Sequence, residues 1–167
     1  IASTSARLPE STPTLASLSS RYAPAVLATV RDGVGQAETL LASATATADT
    51  ALAGTGPAAD AIQSAERDAT RATQALDAID RLAAALAAAS ARLETLASDA
   101  RDAVAEARAV RDAPPEPQTG AAVGAAIAGV EQVLAKLGSP AAVADPAGGI
   151  RALDDAMATL DTSLGSG

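Results

Sequence analysis

The sequence predicts an all-α fold, an elongated antiparallel helical bundle with alanine-rich, coiled-coil-like packing around one long central helix. Alanine, the best helix former, supplies 48 of the 167 residues. Apolar side chains recur at seven-residue spacing from Ile62 to about Val110, which is typical of a long helix packed against other helices. No stretch alternates polar and apolar residues with the β-branched enrichment of a strand, so we expect essentially no strand.

Five helices are predicted within a single domain over 1–167, at about residues 14–30, 34–53, 57–112, 118–137 and 146–164. Each carries apolar residues at the three- and four-residue spacing of one helix face. The first stripe ends at a short turn, Pro24–Val30, and consists of Leu15, Leu18 and Tyr22. The second stripe consists of Val34, Ala37, Leu41, Ala44, Ala48 and Leu52.

The long helix carries two heptad positions that are almost wholly apolar and are predicted to pack against neighbouring helices. One position holds Ile62, Ala69, Leu76, Ala83, Ser90, Ala97 and Val104. The other holds Ala65, Ala72, Ile79, Leu86, Leu93, Ala100 and Ala107. The middle of this helix, Leu82–Ala91, has no charge on any face, which favours burial on all sides over an exposed alanine stretch. The sequence does not decide whether the helix breaks near residues 88–92, because no residue there enforces or forbids a turn.

The last two helices follow a proline linker at 113–117 and have their own start signals. Their stripes consist of Val123, Ile127, Val130, Leu134 and Leu137, and of Ile150, Leu153, Met157, Leu160 and Leu164. Ser139 and Asp145 are predicted N-caps, because their side-chain oxygens can accept from unpaired backbone N–H groups. First helical turns, where proline is tolerated, are predicted at Pro24, Pro57, Pro140 and Pro146.

Composition excludes several kinds of site. The chain has no Cys and no His, which removes the usual zinc ligands and the usual base of a nucleophilic triad. The net charge is −8 with a single lysine, Lys136, which argues against a nucleic-acid surface. The longest apolar run, Gly120–Val130, is shorter than the roughly 20 residues that cross a bilayer. We expect no enzymatic activity, no cofactor, no metal and no membrane contact through this chain.

Three groups of side chains invite a functional interpretation. Two acidic clusters, Asp99, Asp102 and Glu106 and then Asp154, Asp155 and Asp161, are interpreted as solvated faces rather than metal sites. Tyr22 is a candidate partner contact, because aromatic residues dominate binding hot spots, although its stripe favours packing inside the bundle. A basic stripe for an anionic lipid or protein could consist of Arg67, Arg71 and Arg81. Interleaved carboxylates favour a salt-bridged surface there instead, namely Asp68, Asp77 and Asp80.

Several segments resemble the helical region of actinobacterial TPM-domain proteins. They are Arg21-Tyr22-Ala23-Pro24 with Leu27 and Val30, Gln36-Ala37-Glu38, Ala65-Glu66, Leu76-Asp77-Ala78-Ile79-Asp80-Arg81-Leu82, and Asp145-Pro146 with Ile150-Arg151-Ala152-Leu153. The resemblance implies a larger membrane protein with a signal peptide, an extracytoplasmic TPM domain, one membrane span and a long helical region on the cytoplasmic side. This chain would be part of that last region, and no site residue carries over. The ending Gly165-Ser166-Gly167 likewise suggests an excised fragment.

Three functions are compatible with these observations. The first is a non-enzymatic helical scaffold or protein-interaction segment of a membrane-anchored actinobacterial protein. The second is an extracytoplasmic cell-envelope protein that acts as a spacer or adhesin-like module. The third, which we do not expect, is an enzyme that uses carboxylates and hydroxyls and would lose turnover on Asp99→Asn. The protein partners are unknown, and a monomer is favoured over a homodimer because the shorter helices can cover the alanine seam.

Overall fold

The structure, a computed structural model, describes residues 1–54, 57–112 and 117–165. The predicted all-α helical bundle with one long central helix is confirmed, and the described residues contain no strand. The helices are α1 (Ala2–Arg21), α2 (Gly33–Leu52), α3 (Ala58–Asp112), α4 (Pro117–Leu137), α5 (Pro140–Ala144) and α6 (Pro146–Gly165). The predicted proline linker, apart from Pro117, lies outside the described residues.

Contacts group the chain into two compact units, Ile1–Ala85 and Leu86–Gly167. A single domain is predicted from the sequence, whereas this grouping assigns the two halves of α3 to different units. Unit 1 therefore consists of α1, α2 and the first half of α3, and unit 2 of the second half of α3 with α4, α5 and α6. Each unit has its own cluster of buried side chains.

In unit 1, α1 runs parallel to α3 and α2 runs antiparallel to it. Thr4 Oγ1 lies 3.0 Å from Thr73 Oγ1, and Arg7, one turn further along α1, reaches carboxylates one to two turns further along α3. Conversely, Ser43 near the middle of α2 donates to Asp68, while Gly33 at the start of α2 lies against Ile79. The core between the three helices consists of Val30, Ala37, Leu41, Ala72, Leu76 and Ile79.

The predicted first helix, about 14–30, is wrong at both ends, because α1 begins at Ala2 and ends at Arg21. Pro9 and Pro13 lie inside the helix, where each lacks the N–H that would bond to the preceding turn. Packing compensates for this loss, since Thr4, Ser11 and Leu18 are buried. The chain then makes successive tight turns instead of continuing as a helix: Val26 N–H donates to the Ala23 carbonyl, and Val30 N–H donates to the Leu27 carbonyl. Pro24 lies in these turns and not in a helix.

In unit 2, α4 runs antiparallel to α3. Arg108 of α3 pairs with Glu131, and Arg111, further along α3, lies against Gly124, earlier in α4. The core consists of Ala97, Ala100, Val104, Ala107, Val123, Ala126, Ile127, Val130, Leu153 and Leu160. At Gly149 the start of α6 comes so close to its neighbours that an added methyl group would lie 3.0 Å from Leu93 Cδ2 and 3.2 Å from Leu137 Cδ2.

Both predicted N-caps in unit 2 are confirmed. Ser139 Oγ accepts from Ala142 N–H at 3.4 Å, and Asp145 Oδ1 accepts from Gly148 N–H at 3.0 Å. The first of these caps belongs to α5, a five-residue helix that is missing from the five predicted helices although its start signal is in the sequence.

The predicted seam of α3 is confirmed over most of its length. Every buried residue of α3 lies on one of the two predicted heptad positions: Ala65, Ala72, Leu76, Ile79, Leu86, Ala97, Ala100, Val104 and Ala107. Ile62 also belongs to the seam, but it is 51% exposed. The helix continues without a break through residues 88–92.

Burial of the uncharged middle of α3 on all sides is wrong. Leu86 is buried there, whereas Ala84, Ala85, Ala87 and Ala88 are exposed. Alanine exposes only one methyl group and keeps its high helix propensity in water. Lack of charge in an alanine-rich helix therefore does not require a neighbour on every face.

Candidate interaction surfaces

An open groove in unit 1 is the first candidate site. The turn before α2, the first two turns of α2 and one position of α3 line a volume of about 680 Å³. The lining residues are Arg31, Asp32, Gly35, Gln36, Thr39, Leu40 and Arg71. The start of α2 lies close to α3 next to this groove, where Gly33 packs against Ile79.

The lining of the groove combines two arginines and one aspartate with polar and apolar side chains. Arg31 and Arg71 are exposed, and within the described ranges neither has a carboxylate oxygen within 4.0 Å. Guanidinium groups present planar pairs of donors that match a carboxylate. Asp32 is the one acidic residue of the lining. The half-buried Leu40 supplies apolar surface.

The predicted pairing of Asp68, Asp77 and Asp80 with the interleaved arginines of α3 is not found among the described residues; Asp77 and Asp80 pair instead with a base on another helix. Arg7 of α1 contacts Asp77 at 2.8 Å and Asp80 at 2.7 Å. These hydrogen bonds, first that to Asp77 and then that to Asp80, raise the pKa of the Arg7 guanidinium. Arg7 is not among the residues predicted from the sequence, although two aspartates at i, i+3 spacing are a signal for one bridging base.

The three arginines of the predicted basic stripe do not act together. Arg67 Nε donates to the Gln63 carbonyl within its own helix at 3.2 Å. Arg71 lines the groove with Arg31. Arg81 is exposed. The chain therefore has a two-arginine groove and not a stripe along one helix.

Tyr22 lies at the end of α1 and is only 6% exposed. Its backbone N–H donates to the Leu18 carbonyl and caps the helix, and the Arg21 guanidinium carbon lies 5.6 Å from the ring centroid. Leu27, in the following turns, is also buried. This burial favours the packing interpretation, and a role of Tyr22 as a partner contact stays a prediction.

Both acidic clusters face solvent. Asp99, Asp102 and Glu106 are exposed on α3, as are Asp154, Asp155 and Asp161 on α6. Among the residues that the structure describes, no three His, Cys, Asp or Glu side chains are grouped so that they could hold a metal ion. Arg92 lies 3.9 Å from Asp154, a separation at which an exposed pair contributes little.

Two large apolar side chains of unit 1 are unusually exposed. Leu52 at the end of α2 is 86% exposed and Ile62 near the start of α3 is 51% exposed. Both continue stripes whose other members are buried or half-buried. Ile1 of unit 1 is also exposed, as are Val110 and Val143 of unit 2, among the described residues.

One described segment, Gly120–Leu137 of α4, is by length and composition apolar enough to cross a membrane, with a mean hydropathy of 1.3. The uninterrupted apolar run within it, Gly120–Val130, is shorter and predicts no membrane span. In the structure Val123, Ile127 and Val130 of the same helix pack in the core of unit 2, and core helices commonly have such hydropathy. The segment is therefore weak evidence for a membrane span.

Comparison with known proteins gives no relative. No protein family, curated protein or solved structure matches the chain.

Proposed function

We propose that this chain is a non-enzymatic helical scaffold that binds a protein partner, and that the groove of unit 1 holds an acidic segment of that partner. The observation that carries the proposal is the pair of exposed guanidinium groups, Arg31 and Arg71, on separate elements beside Gln36 and Leu40. Two planar donors from different directions recognise a carboxylate better than either alone. Leu40 offers a contact for an apolar residue next to it.

The overall charge of −8 does not prevent an acidic segment from binding. Charges further away than the Debye length of about 8 Å at physiological ionic strength are largely screened. The charges that lie in the groove therefore dominate, and there the two arginines outnumber Asp32.

The resemblance to TPM-domain proteins supports placing this scaffold on the cytoplasmic side of a membrane-anchored actinobacterial protein. Reporter fusions at the two ends of the chain, in the full-length protein, test this part of the proposal. We expect cytoplasmic reporters to be active at both ends. Activity of only the extracytoplasmic reporters would favour the cell-envelope spacer instead.

Site-specific photo-crosslinking tests the groove. A photoreactive amino acid replaces Gln36 in the full-length protein in its native membrane, and a matched control carries it at Gln132, which is exposed on α4. We expect one discrete crosslinked protein from position 36 and none from position 132. The double variant Arg31→Glu, Arg71→Glu should reduce that crosslink at least about fivefold, since charge reversal turns two attractions into repulsions.

Either of two results would contradict the proposal: equal crosslinking from both positions, or a crosslink from position 36 that survives the charge reversal. Because Arg31 and Arg71 are exposed, the double variant should keep the wild-type melting temperature. That measurement separates loss of binding from loss of the fold.

A further inference from the structure

Helix α1 differs from the other described helices in having prolines in its interior. Pro9 and Pro13 lie one turn apart on its exposed side, whereas the prolines of α4, α5 and α6 occupy the first helical position. Neither interior proline has the N–H that would bond to the preceding turn. The longest stretch of α1 without proline is the eight residues 14–21, below the roughly 12–15 at which isolated helices become marginally stable. We therefore expect α1 to be helical only while it is docked.

The docked side of α1 is polar for a helix that covers a core. Its three buried residues follow one another at seven-residue spacing, and two of them, Thr4 and Ser11, carry hydroxyl groups, while the third is Leu18. Beside them, the half-buried Leu8 and Leu15 pack against the core of unit 1. By contrast, every buried residue of α3 is apolar. Since a hydroxyl-bearing side chain buries less apolar area than a leucine, docking stabilises each turn of α1 less than a fully apolar stripe would.

The polar contacts of α1 with α3 are partly exposed to solvent. Thr4 Oγ1 lies 3.0 Å from Thr73 Oγ1, and Arg7 bonds to Asp77 and Asp80. Both aspartate side chains are about half exposed, so that water and salt compete with these ion pairs. The ionic part of the attachment is therefore weak and depends on the salt concentration.

The rest of unit 1 holds together without α1. Helix α2 packs directly on α3, where Gly33 lies against Ile79 and Ser43 donates to Asp68. Neither α2 nor α3 contains a proline. Helix α3 also continues without a break into unit 2, which has its own core. Release of α1 therefore removes neither the contacts between α2 and α3 nor the helical structure of α3.

We infer that α1 is a strap that releases from α2 and α3 and unfolds in one step, while the rest of the chain stays folded. The closed strap covers Leu76 and pairs the carboxylates of Asp77 and Asp80, and its release exposes all three side chains. Arg7 is the ionic latch of the closed state. Opening of one element at a lower free energy than global unfolding is expected where that element is the least stable. The strap shares no residue with the lining of the groove, so this inference goes beyond the proposed function and stands or fails apart from it.

Native-state hydrogen exchange of the full 167-residue chain, at several low urea concentrations, tests the strap. We expect the amides of residues 5–21 to exchange in one common opening, at least about tenfold faster than those of residues 37–44 and 72–79. Pro9→Ala and Pro13→Ala should each slow exchange in α1 at least about tenfold, because each restores an N–H to the helix at an exposed position. The matched control is Pro140→Ala, at the exposed first position of α5, which should leave exchange in α1 unchanged.

A second set of variants tests the latch. Arg7→Ala should speed exchange throughout α1 by roughly two- to fivefold at low salt, as expected for exposed ion pairs, and by less in about 0.5 M salt. Exchange at residues 72–79 should not change. The control Arg81→Ala removes an exposed arginine of α3 that has no carboxylate within 4.0 Å among the described residues, and it should leave exchange in α1 at the wild-type rate.

Three outcomes would overturn the inference. Exchange of α1 at the same free energy as residues 72–79 would mean that α1 opens only when unit 1 unfolds. Proline substitutions that leave exchange in α1 unchanged, or speed it, would mean that the prolines do not weaken the strap. A synthetic peptide with the sequence of Ala2–Arg21 should show no helix by circular dichroism in buffer, and a helical peptide would contradict the coupling of release to unfolding.

Discussion

The core substitution Leu76→Ala tests how much unit 1 is stabilised where α1 and α2 cover the heptad positions of α3. Leu76 is 0% exposed, and the substitution removes three carbon atoms, worth about 2.4 kcal/mol at roughly 0.8 kcal/mol each. Its core neighbours include Ala37 and Ala72, whose methyl groups cannot reach into the space, and the larger Val30, Leu41 and Ile79, which are buried and can relax only partly. A cavity therefore remains, and we expect a total loss of about 3–4 kcal/mol in the free energy of unfolding.

The matched control is Ile62→Ala, which lies on the same heptad position two heptads earlier. Ile62 is 51% exposed, and alanine has the higher helix propensity. The expected loss is therefore no more than about 1 kcal/mol. The comparison keeps the helix and the heptad position constant, and the main difference between the two sites is burial.

Urea unfolding followed by two signals measures both variants. Far-UV circular dichroism reports all helices, and fluorescence of Tyr22, the single aromatic residue, reports unit 1. We expect Leu76→Ala to lower the midpoint of the tyrosine transition strongly, and its thermal midpoint by about 12 °C or more at 4–8 °C per kcal/mol for a unit of this size. Equal losses for the two variants would refute the reasoning, because they would mean that Ile62 is as well covered as Leu76.

Three further predictions concern local contacts. Gly149→Ala should destabilise unit 2 by about 1–3 kcal/mol, because the new methyl group overlaps leucine methyls on α3 and α4. The control Gly129→Ala, whose new methyl group has nothing within 4 Å, should stabilise unit 2 by up to about 1 kcal/mol. Equal shifts of the melting temperature in the two variants would contradict the close approach at Gly149. Asp145→Ala removes the cap on Gly148 N–H and should cost about 1 kcal/mol in urea unfolding, while a loss near zero would mean that the cap contributes nothing. Arg7→Ala should lower the free energy of unfolding by no more than about 1 kcal/mol, because its ion pairs are exposed. The loss should be smaller in roughly 0.5 M salt, which screens the charges. Because the pKa of Arg7 is raised, its contribution to the free energy of unfolding is complete at neutral pH. That contribution is lost only in strongly alkaline solution, as the pH rises through the folded-state pKa. Its loss near pH 7, in unfolding measured as a function of pH, would contradict the pairing.

The sequence predicts the architecture well where one signal dominates. The heptad positions of α3 identify all of its buried residues, because only a residue on the seam can meet a neighbouring helix. Ser139 and Asp145 identify the starts of α5 and α6, because capping is a local interaction that needs no tertiary information.

The prediction fails where tertiary contacts override local signals. The prolines inside α1 resemble a helix boundary, and only the burial of Leu18 and its neighbours explains why the helix persists. The middle of α3 lacks charge, but alanine tolerates solvent, so Ala87 and Ala88 stay exposed. Of the groove, the sequence analysis identifies Arg71 alone, since nothing local relates it to Arg31, forty residues earlier.

Native-state hydrogen exchange along α3 tests most directly the claim that its alanine seam is covered in two separate stretches and open at its start. We expect the slowest exchange at residues 72–79 and 97–107, where the flanking helices cover the seam, and exchange at least about tenfold faster at 58–64. Uniform protection from residue 58 to residue 112 would contradict the account, as would fast exchange throughout the two covered stretches.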